Sequence, residues 1–310
     1  MPGGDARGGV LVGGAINTDL VARTKRAPEA GETVTGSDFN VFGGGKGANQ
    51  TVACARSGVL TAIIGAVGRD DFGRQRLADL QREGVDVASV AIDASSASGV
   101  ALIAVEESGQ NRILYVPGAT LSVTPEQAVS AYERVRPVVV LTTLELPLPT
   151  LERLYLQARE AGALTMLNAT PEPEEGRSQV RLADVLVVNE TEALSVVGQR
   201  GGNPDWAEVA ASLAALGPRC VVITLGAAGA VVRDGQRVER ISAPAVEVVD
   251  TTGAGDAFCG AMAARLAEGS EAIEAARLGI LAGSLAVTQA GAQPSMPRRE
   301  EIDQLAQRTA

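Results

Sequence analysis

The sequence predicts an α/β fold: a doubly wound, mostly parallel central sheet flanked by helices, with a small β-lid. Three observations carry this. Short β-branched runs alternate with Ala-rich helical stretches along most of the 310 residues. The runs are apolar throughout, as strands covered by helices on both faces must be. Polar or glycine-rich elements stand at the ends of successive runs, and a parallel sheet gathers such ends along one edge.

Residues 9–15 and 61–67 read as strands, and 138–141, 165–167, 185–188 and 221–224 continue the series. Helical patterns lie between them at 47–56, 72–82, 150–160 and 206–216. Residues 246–249 read as a further strand that runs into a glycine turn, followed by helices over 257–267 and about 270–287. Two segments break the rhythm. Residues 32–42 and 98–116 look like extra strands; in the second, 100–105 and 112–116 flank the turn Glu106-Glu107-Ser108-Gly109. We read about 16–42 and 98–116 as a lid on a single domain spanning 1–310, able to exclude water from a site. An inert flap or a dimer contact is the competing reading, and lid and dimer contact are compatible.

Composition removes several functions. The chain is 45% apolar and 21% charged, ordinary for a soluble enzyme, and at 3% aromatic its core must be Ala, Val, Leu and Ile. A net charge of −10 with no basic run speaks against nucleic acid and against an anionic membrane surface as partners. No apolar stretch is long enough to span a bilayer, and the N-terminal Met-Pro-Gly-Gly-Asp lacks the pattern of a secretory leader. Cys54, Cys220 and Cys259 sit in apolar settings and read as buried reduced thiols of a cytoplasmic protein. There is no histidine, so acid–base chemistry falls to Asp, Glu, Lys, Tyr or Cys.

The strongest motif is Gly253-Ala254-Gly255-Asp256, between a strand pattern and a helix pattern. Glycines let the backbone come close to a ligand, and free N–H groups at a helix start hold anions. Asp256 at that start suits a base beside a bound phosphate; a plain helix cap is the alternative. Gly43-Gly44-Gly45-Lys46-Gly47-Ala48-Asn49 also leads into a helix, but Lys46 is followed by glycine, so it is not a Walker A loop. Lys46 and Asn49 lie one turn apart and can face one ligand, with donors that suit sugar hydroxyls. Asn17 and Asp19, spaced by two in an extended segment, point to one side or simply form a turn. Asn189 and Glu192 form an N-x-x-E pair, either a magnesium site held through water or a helix cap. Thr224-Leu225-Gly226-Ala227-Ala228-Gly229 ends a strand and could wrap a nucleotide.

These residues resemble the ribokinase (PfkB-type) sugar kinase family over nearly the whole chain, from Gly13-Gly14-Ala15-Ile16-Asn17-Thr18-Asp19 to Gly291-Ala292-Gln293-Pro294-Ser295. The resemblance implies an ATP-dependent kinase for a sugar such as ribose, often dimeric through its lid. It implies that Asn17, Asp19, Gly45, Lys46, Asn49 and Glu145 bind the sugar and that Asp256 deprotonates its O5 hydroxyl. Gly253, Ala254 and Gly255 would form the anion hole, Asn189 and Glu192 would serve Mg²⁺, and residues 224–229 would carry ATP. A K⁺ site would map onto Asp250, Thr252, Ala286, Gln289, Gly291 and Ser295, mostly through backbone carbonyls. The chain departs from the family at Asn168-Ala169-Thr170-Pro171, where Asn-Pro-Ala-Pro is common, and at Ile280, where His or Asn often stands near the adenine. A kinase for 2-deoxyribose, fructose or a nucleoside is the nearest alternative, and a non-catalytic sugar or nucleotide sensor a more distant one. A Rossmann dehydrogenase is disfavoured because Gly13-Gly14 opens no GxGxxG loop.

Overall fold

The computed structural model describes residues 8–199 and 204–309; the N-terminal segment read for a leader lies outside them. Its strands are β1 (Val10–Gly13), β2 (Asn17–Thr24), β3 (Gly36–Gly44), β4 (Thr61–Gly68), β5 (Asp86–Asp93), β6 (Gly99–Glu106), β7 (Asn111–Val116), β8 (Val139–Thr143), β9 (Leu164–Asn168), β10 (Val185–Asn189), β11 (Cys220–Thr224), β12 (Ala230–Asp234) and β13 (Arg237–Ile241). The helices are α1 (Lys46–Arg56), α2 (Asp71–Arg82), α3 (Pro125–Val135), α4 (Leu148–Glu160), α5 (Arg177–Leu182), α6 (Glu190–Val197), α7 (Trp206–Ala214), α8 (Ala254–Ala267), α9 (Ala272–Ala286), α10 (Ala292–Ser295) and α11 (Arg299–Thr309).

Nine strands form one sheet in the order β13-β12-β11-β10-β9-β8-β1-β4-β5, and four form a second in the order β3-β2-β6-β7. The large sheet is parallel from β11 to β5, and β12 runs antiparallel to both of its neighbours, β11 and β13. Apolar strands without alternation bury both faces. Leu11, Val140, Leu167, Leu186 and Val221 pack one way, towards α3, α4, α6 and α7. Their neighbours Val10, Val12, Val139, Leu141, Met166 and Val187 pack the other way, against Phe258, Met262, Ile273 and Ala276 of α8 and α9.

The order places β1 between β4 and β8, so the chain winds away from β1 in both directions. A crevice opens beyond the strand ends at such a switch point. The small sheet is joined directly to it, because β2 follows β1 after three residues. In the small sheet, cross-strand partners share a face: Asp19 pairs with Phe42 and Ala101, and Ala101 pairs with Tyr115. Ala101 is buried, whereas Phe39, Leu102 and Leu114 on the other face are exposed. Asn17 and Asp19 therefore look inward.

The expected strand over 246–249 does not form, and residues 242–248 run as irregular chain. Its backbone turns to α9 instead of to the sheet edge at β13: Val249 N donates to Val287 O, just past α9, at 2.8 Å. Val246 and Val248 instead line a cavity, and Val248 and Val249 are exposed. The hairpin β12–β13 and α3 belong to no pattern singled out in the sequence. The two predicted C-terminal helices form as α8 and α9, and the three cysteines are buried and free.

Candidate active site

Two helices bring the central groups together. α1 is capped by Gly45, whose φ of +88° and whose would-be Cβ, 2.5 Å from Ala15 O, leave no room for a side chain. α8 starts at Gly253, with φ of +80°. The two helices touch at Gly260, where a Cβ would lie 2.4 Å from Ala53 Cβ. One turn earlier, α1 presents Asn49 and Gln50 to Asp256 of α8. Asn49 Nδ2 donates to Asp256 Oδ2 at 2.9 Å, and Gln50 Nε2 donates to Oδ1 at 3.0 Å. Gln50 Nε2 also donates to Asn168 Oδ1 at 2.9 Å, tying the end of β9 to the same cluster.

Asp256 is only 6% exposed. Burial raises its carboxyl above the ordinary range and Glu145 adds to this, while Lys46, Asn49 and Gln50 oppose it. The negative charge of Asp256 is in turn the main cause that raises the Lys46 ammonium. Lys46 and Asn49 thus converge on Asp256, as their helical spacing allows.

Glu145, just past β8, is a clasp. Its Oε2 accepts from Ala15 N at 2.9 Å, Gly47 N at 3.0 Å and Thr143 Oγ1 at 2.9 Å, and its Oε1 accepts from Lys46 N at 3.1 Å. One carboxylate thereby joins the ends of β1 and β8 to the anion-favouring start of α1. Asp19 faces the same region. Burial lifts its carboxyl to about 6, against the pull of Arg76 and with Glu145 and Asp256 adding to the rise. A Cβ on Gly44 would lie 2.2–2.3 Å from the Asp19 carboxylate, so the glycine run of β3 is the floor on which that carboxylate rests. Asn17 Oδ1 and Asn49 Oδ1 are buried without a partner among the described residues, the first of them against Gly99.

Two cavities continue from Asp256. One, of about 240 Å³, is lined by Lys46, Asn168, Asn189, Glu192, Gly255 and Asp256. The other, of about 560 Å³, is lined by Thr224, Gly226, Ala227, Gly229, Val246, Ile280 and Ser284 among others. Thr224, Thr251 and Gly255 line both, so the two are contiguous. No atom of the described residues lies within 4 Å of where a Gly255 side chain would be, which leaves the first turn of α8 open to a ligand. A polar chamber at a helix start, joined to an apolar one, is the shape of a phosphate chain leading to a flat base.

The comparisons with known proteins agree. The pattern of the pfkB family carbohydrate kinases matches residues 8–299. The chain belongs to that family. A ribokinase of Bacillus subtilis is 37% identical over 298 residues, 96% of this chain and 98% of its own. A ribokinase of Mus musculus is 36% identical over 303 residues, 94% of this chain and 93% of its own. A solved ribokinase of Arabidopsis thaliana, complexed with ribose and ATP, has a TM-score of 0.86 at 29% identity over 96% of this chain and 98% of that one.

Several expected pfkB site residues lie elsewhere than the cluster around Asp256. Leu225 is buried, and neither it nor Ala228 lines the larger cavity. Asn189 and Glu192 close on each other as a reciprocal cap: Glu192 N donates to Asn189 Oδ1 at 2.9 Å, and Asn189 N to Glu192 Oε2 at 2.8 Å. Burial raises the Glu192 carboxyl, and the pair still lines the smaller cavity. Asp250 is a separate knot. Its Oδ1 accepts from Thr252 N and Oγ1 at 2.9 and 2.7 Å, and its Oδ2 from Gly291 N at 2.9 Å. Burial works to raise that carboxyl, but these hydrogen bonds outweigh it and hold it low. Ala286 is buried, Gln289 is exposed, and Ser295 Oγ donates to Ala292 O at 2.8 Å. Gln50 is the residue the sequence reading missed. Its signal was a pair of adjacent carboxamides in the middle of α1, beside the small residues Gly47 and Ala48.

Proposed function

We propose that this pfkB kinase is a ribokinase, transferring the γ-phosphoryl group of ATP to the O5 hydroxyl of D-ribose to give ribose 5-phosphate. The carrying observation is Asp256: a buried carboxylate on the first turn of α8, gripped by Asn49 and Gln50, lining the cavity that leads to the larger apolar chamber. Full-length similarity to ribokinases supports ribose as the acceptor.

The sugar lies under the small sheet, which acts as a lid. Asp19, Asn17, Lys46 and Asn49 take its hydroxyls, and Glu145 fixes the loop behind them. Asp256 accepts the O5 proton as O5 bonds to phosphorus and the bond to the ADP oxygen breaks. The open N–H of Gly255 and its neighbours Gly253 and Ala254 receive charge on the phosphoryl oxygens; Ala254 N is held at 3.3 Å by Thr251 O before a ligand arrives. The adenine enters the chamber walled by Val246 and Ile280, where its recognition is apolar.

The oxygen donors at Asn189 and Glu192 fit Mg²⁺ through water, since their direct oxygens are largely taken by the cap. Mg²⁺ supplies charge neutralisation on the phosphates. The oxygen-only set around Asp250, Thr252, Ala286, Gln289, Gly291 and Ser295 fits K⁺ and would brace the start of α8. The exposed outer face of the lid, with Phe39, Leu102 and Leu114, is an apolar surface on which two copies pair. The three buried free thiols suit a reducing compartment, and we assign the enzyme to the cytoplasm.

The test is ADP release with ATP·Mg²⁺ and ribose, 2-deoxyribose, fructose or a nucleoside, each with and without K⁺. Ribose should give the highest kcat/KM and yield ribose 5-phosphate. Preference for another acceptor would move the assignment elsewhere in the family.

A further inference from the structure

Arg76 is a charged residue on α2 that no part of the reaction described above uses, yet it is 6% exposed. Its Nη2 pairs with Asp79 Oδ2 at 2.6 Å, while its Nε and Nη1 are buried without a partner among the described residues. Asp79 is shared, because it also pairs with Arg82. A buried guanidinium with two unsatisfied nitrogens costs stability. Packing alone gives no reason to keep it.

The surroundings give one. α2 packs against β2, the strand that carries Asp19. Three carboxylates crowd the sugar side: Asp19, Glu145 and Asp256. Glu145 is satisfied by four donors, and Asp256 by Asn49, Gln50 and Lys46. Asp19 has no such set among the described residues. Of the charged groups that act on it, Glu145 from beyond β8 and Asp256 from α8 are negative, and Arg76 from α2 is the positive one. We propose that Arg76 is a positioning residue of the acceptor site, the fixed positive charge that keeps the Asp19 carboxylate charged and open to sugar hydroxyls. Asp79 anchors one side of the guanidinium, which leaves Nε and Nη1 uncommitted. This rests on the sugar-binding role proposed for Asp19.

The experiment follows the Asp19 carboxyl by ¹³C NMR titration, assigned by its loss in Asp19→Asn. The wild-type midpoint should lie near 6, well above an ordinary aspartate. Removing a positive charge disfavours the carboxylate, so Arg76→Met should move the midpoint up, and Arg76→Lys should move it back. In kinetics, kcat/KM for the sugar should fall on the acid limb by up to about tenfold per unit of that movement. The plateau at high pH should stay within about twofold, because Asp19 is ionised there in either protein. A merely structural residue would lower kcat/KM at every pH. If Arg76→Met fails to fold, Arg76→Gln takes its place. An unmoved Asp19 midpoint overturns the proposal, and so does a uniform loss across pH. A wild-type protein that phosphorylates no sugar would sink the ribokinase reading alone, since the NMR titration still decides on Arg76.

Discussion

Replacing Asp256 by Asn removes the base while keeping its shape. The carboxylate accepts from Asn49 Nδ2 and Gln50 Nε2, so an amide in its place meets two donors with only one acceptor. Left alone, the mismatch would cost about 1–3 kcal/mol. Asn49 Oδ1 has no partner among the described residues, however, so a flip of the Asn49 amide offers an acceptor and repairs the network. The charge also matters. Burial raises the Asp256 carboxyl, so the folded protein binds its proton more tightly than the unfolded chain does. The stability this gives is complete below the ordinary aspartate value of about 4 and is lost as pH rises through the folded value. The uncharged amide avoids that loss. Asp256→Asn should therefore melt at or above the wild-type temperature at pH 8, with the gap closing towards pH 4. Turnover should fall by roughly 10²–10⁴, equivalent to about 3–5 kcal/mol in the barrier. ADP release, calorimetric titration with ribose and thermal melts at both pH values test this. Turnover within about threefold of wild type would refute Asp256 as the base. A lower melting temperature with lost ribose binding would show a structural carboxylate instead.

Gly44→Ala puts a methyl within 2.2–2.3 Å of the Asp19 carboxylate, so Asp19 must move. The sugar KM should rise by about tenfold or more with the ATP KM unchanged, as steady-state kinetics with each substrate varied will show. Glu145→Ala strands the N–H groups of Ala15, Lys46 and Gly47. We expect a loss of roughly 3–5 kcal/mol in urea unfolding together with lost sugar binding, because one carboxylate serves both. Ile280→Val removes one methylene from the wall of the larger cavity, so the ATP KM should rise about fourfold and the sugar KM stay put.

Much of the site was legible because its signals are local. Glycine followed by Asp256 at a helix start, or Lys46 and Asn49 one turn apart, is a pattern of spacing, and spacing fixes which side chains share a face. The fold class was legible for the same reason: unbroken apolar runs must be covered on both sides, and the α/β order follows. Where local pattern and available partners disagree, the sequence misleads. Residues 246–249 have the composition of a strand, but Val249 N bonds to Val287 O past α9, and Val246 and Val248 line the larger cavity instead.

The sequence by itself determined the class of chemistry. It supplies carboxylates, lysine and glycine-rich helix starts and no histidine, and these are properties of residue type and short-range order. The tertiary structure decided who meets whom. Asp256 lies 206 and 207 positions from the carboxamides that hold it, and Glu145 gathers backbone from 98 to 130 positions away. Only packing could fix those contacts, and only packing could bury Asp256 and so lift its carboxyl above the ordinary range. Desolvation depends on the atoms that surround a group, and no spacing along the chain reports them.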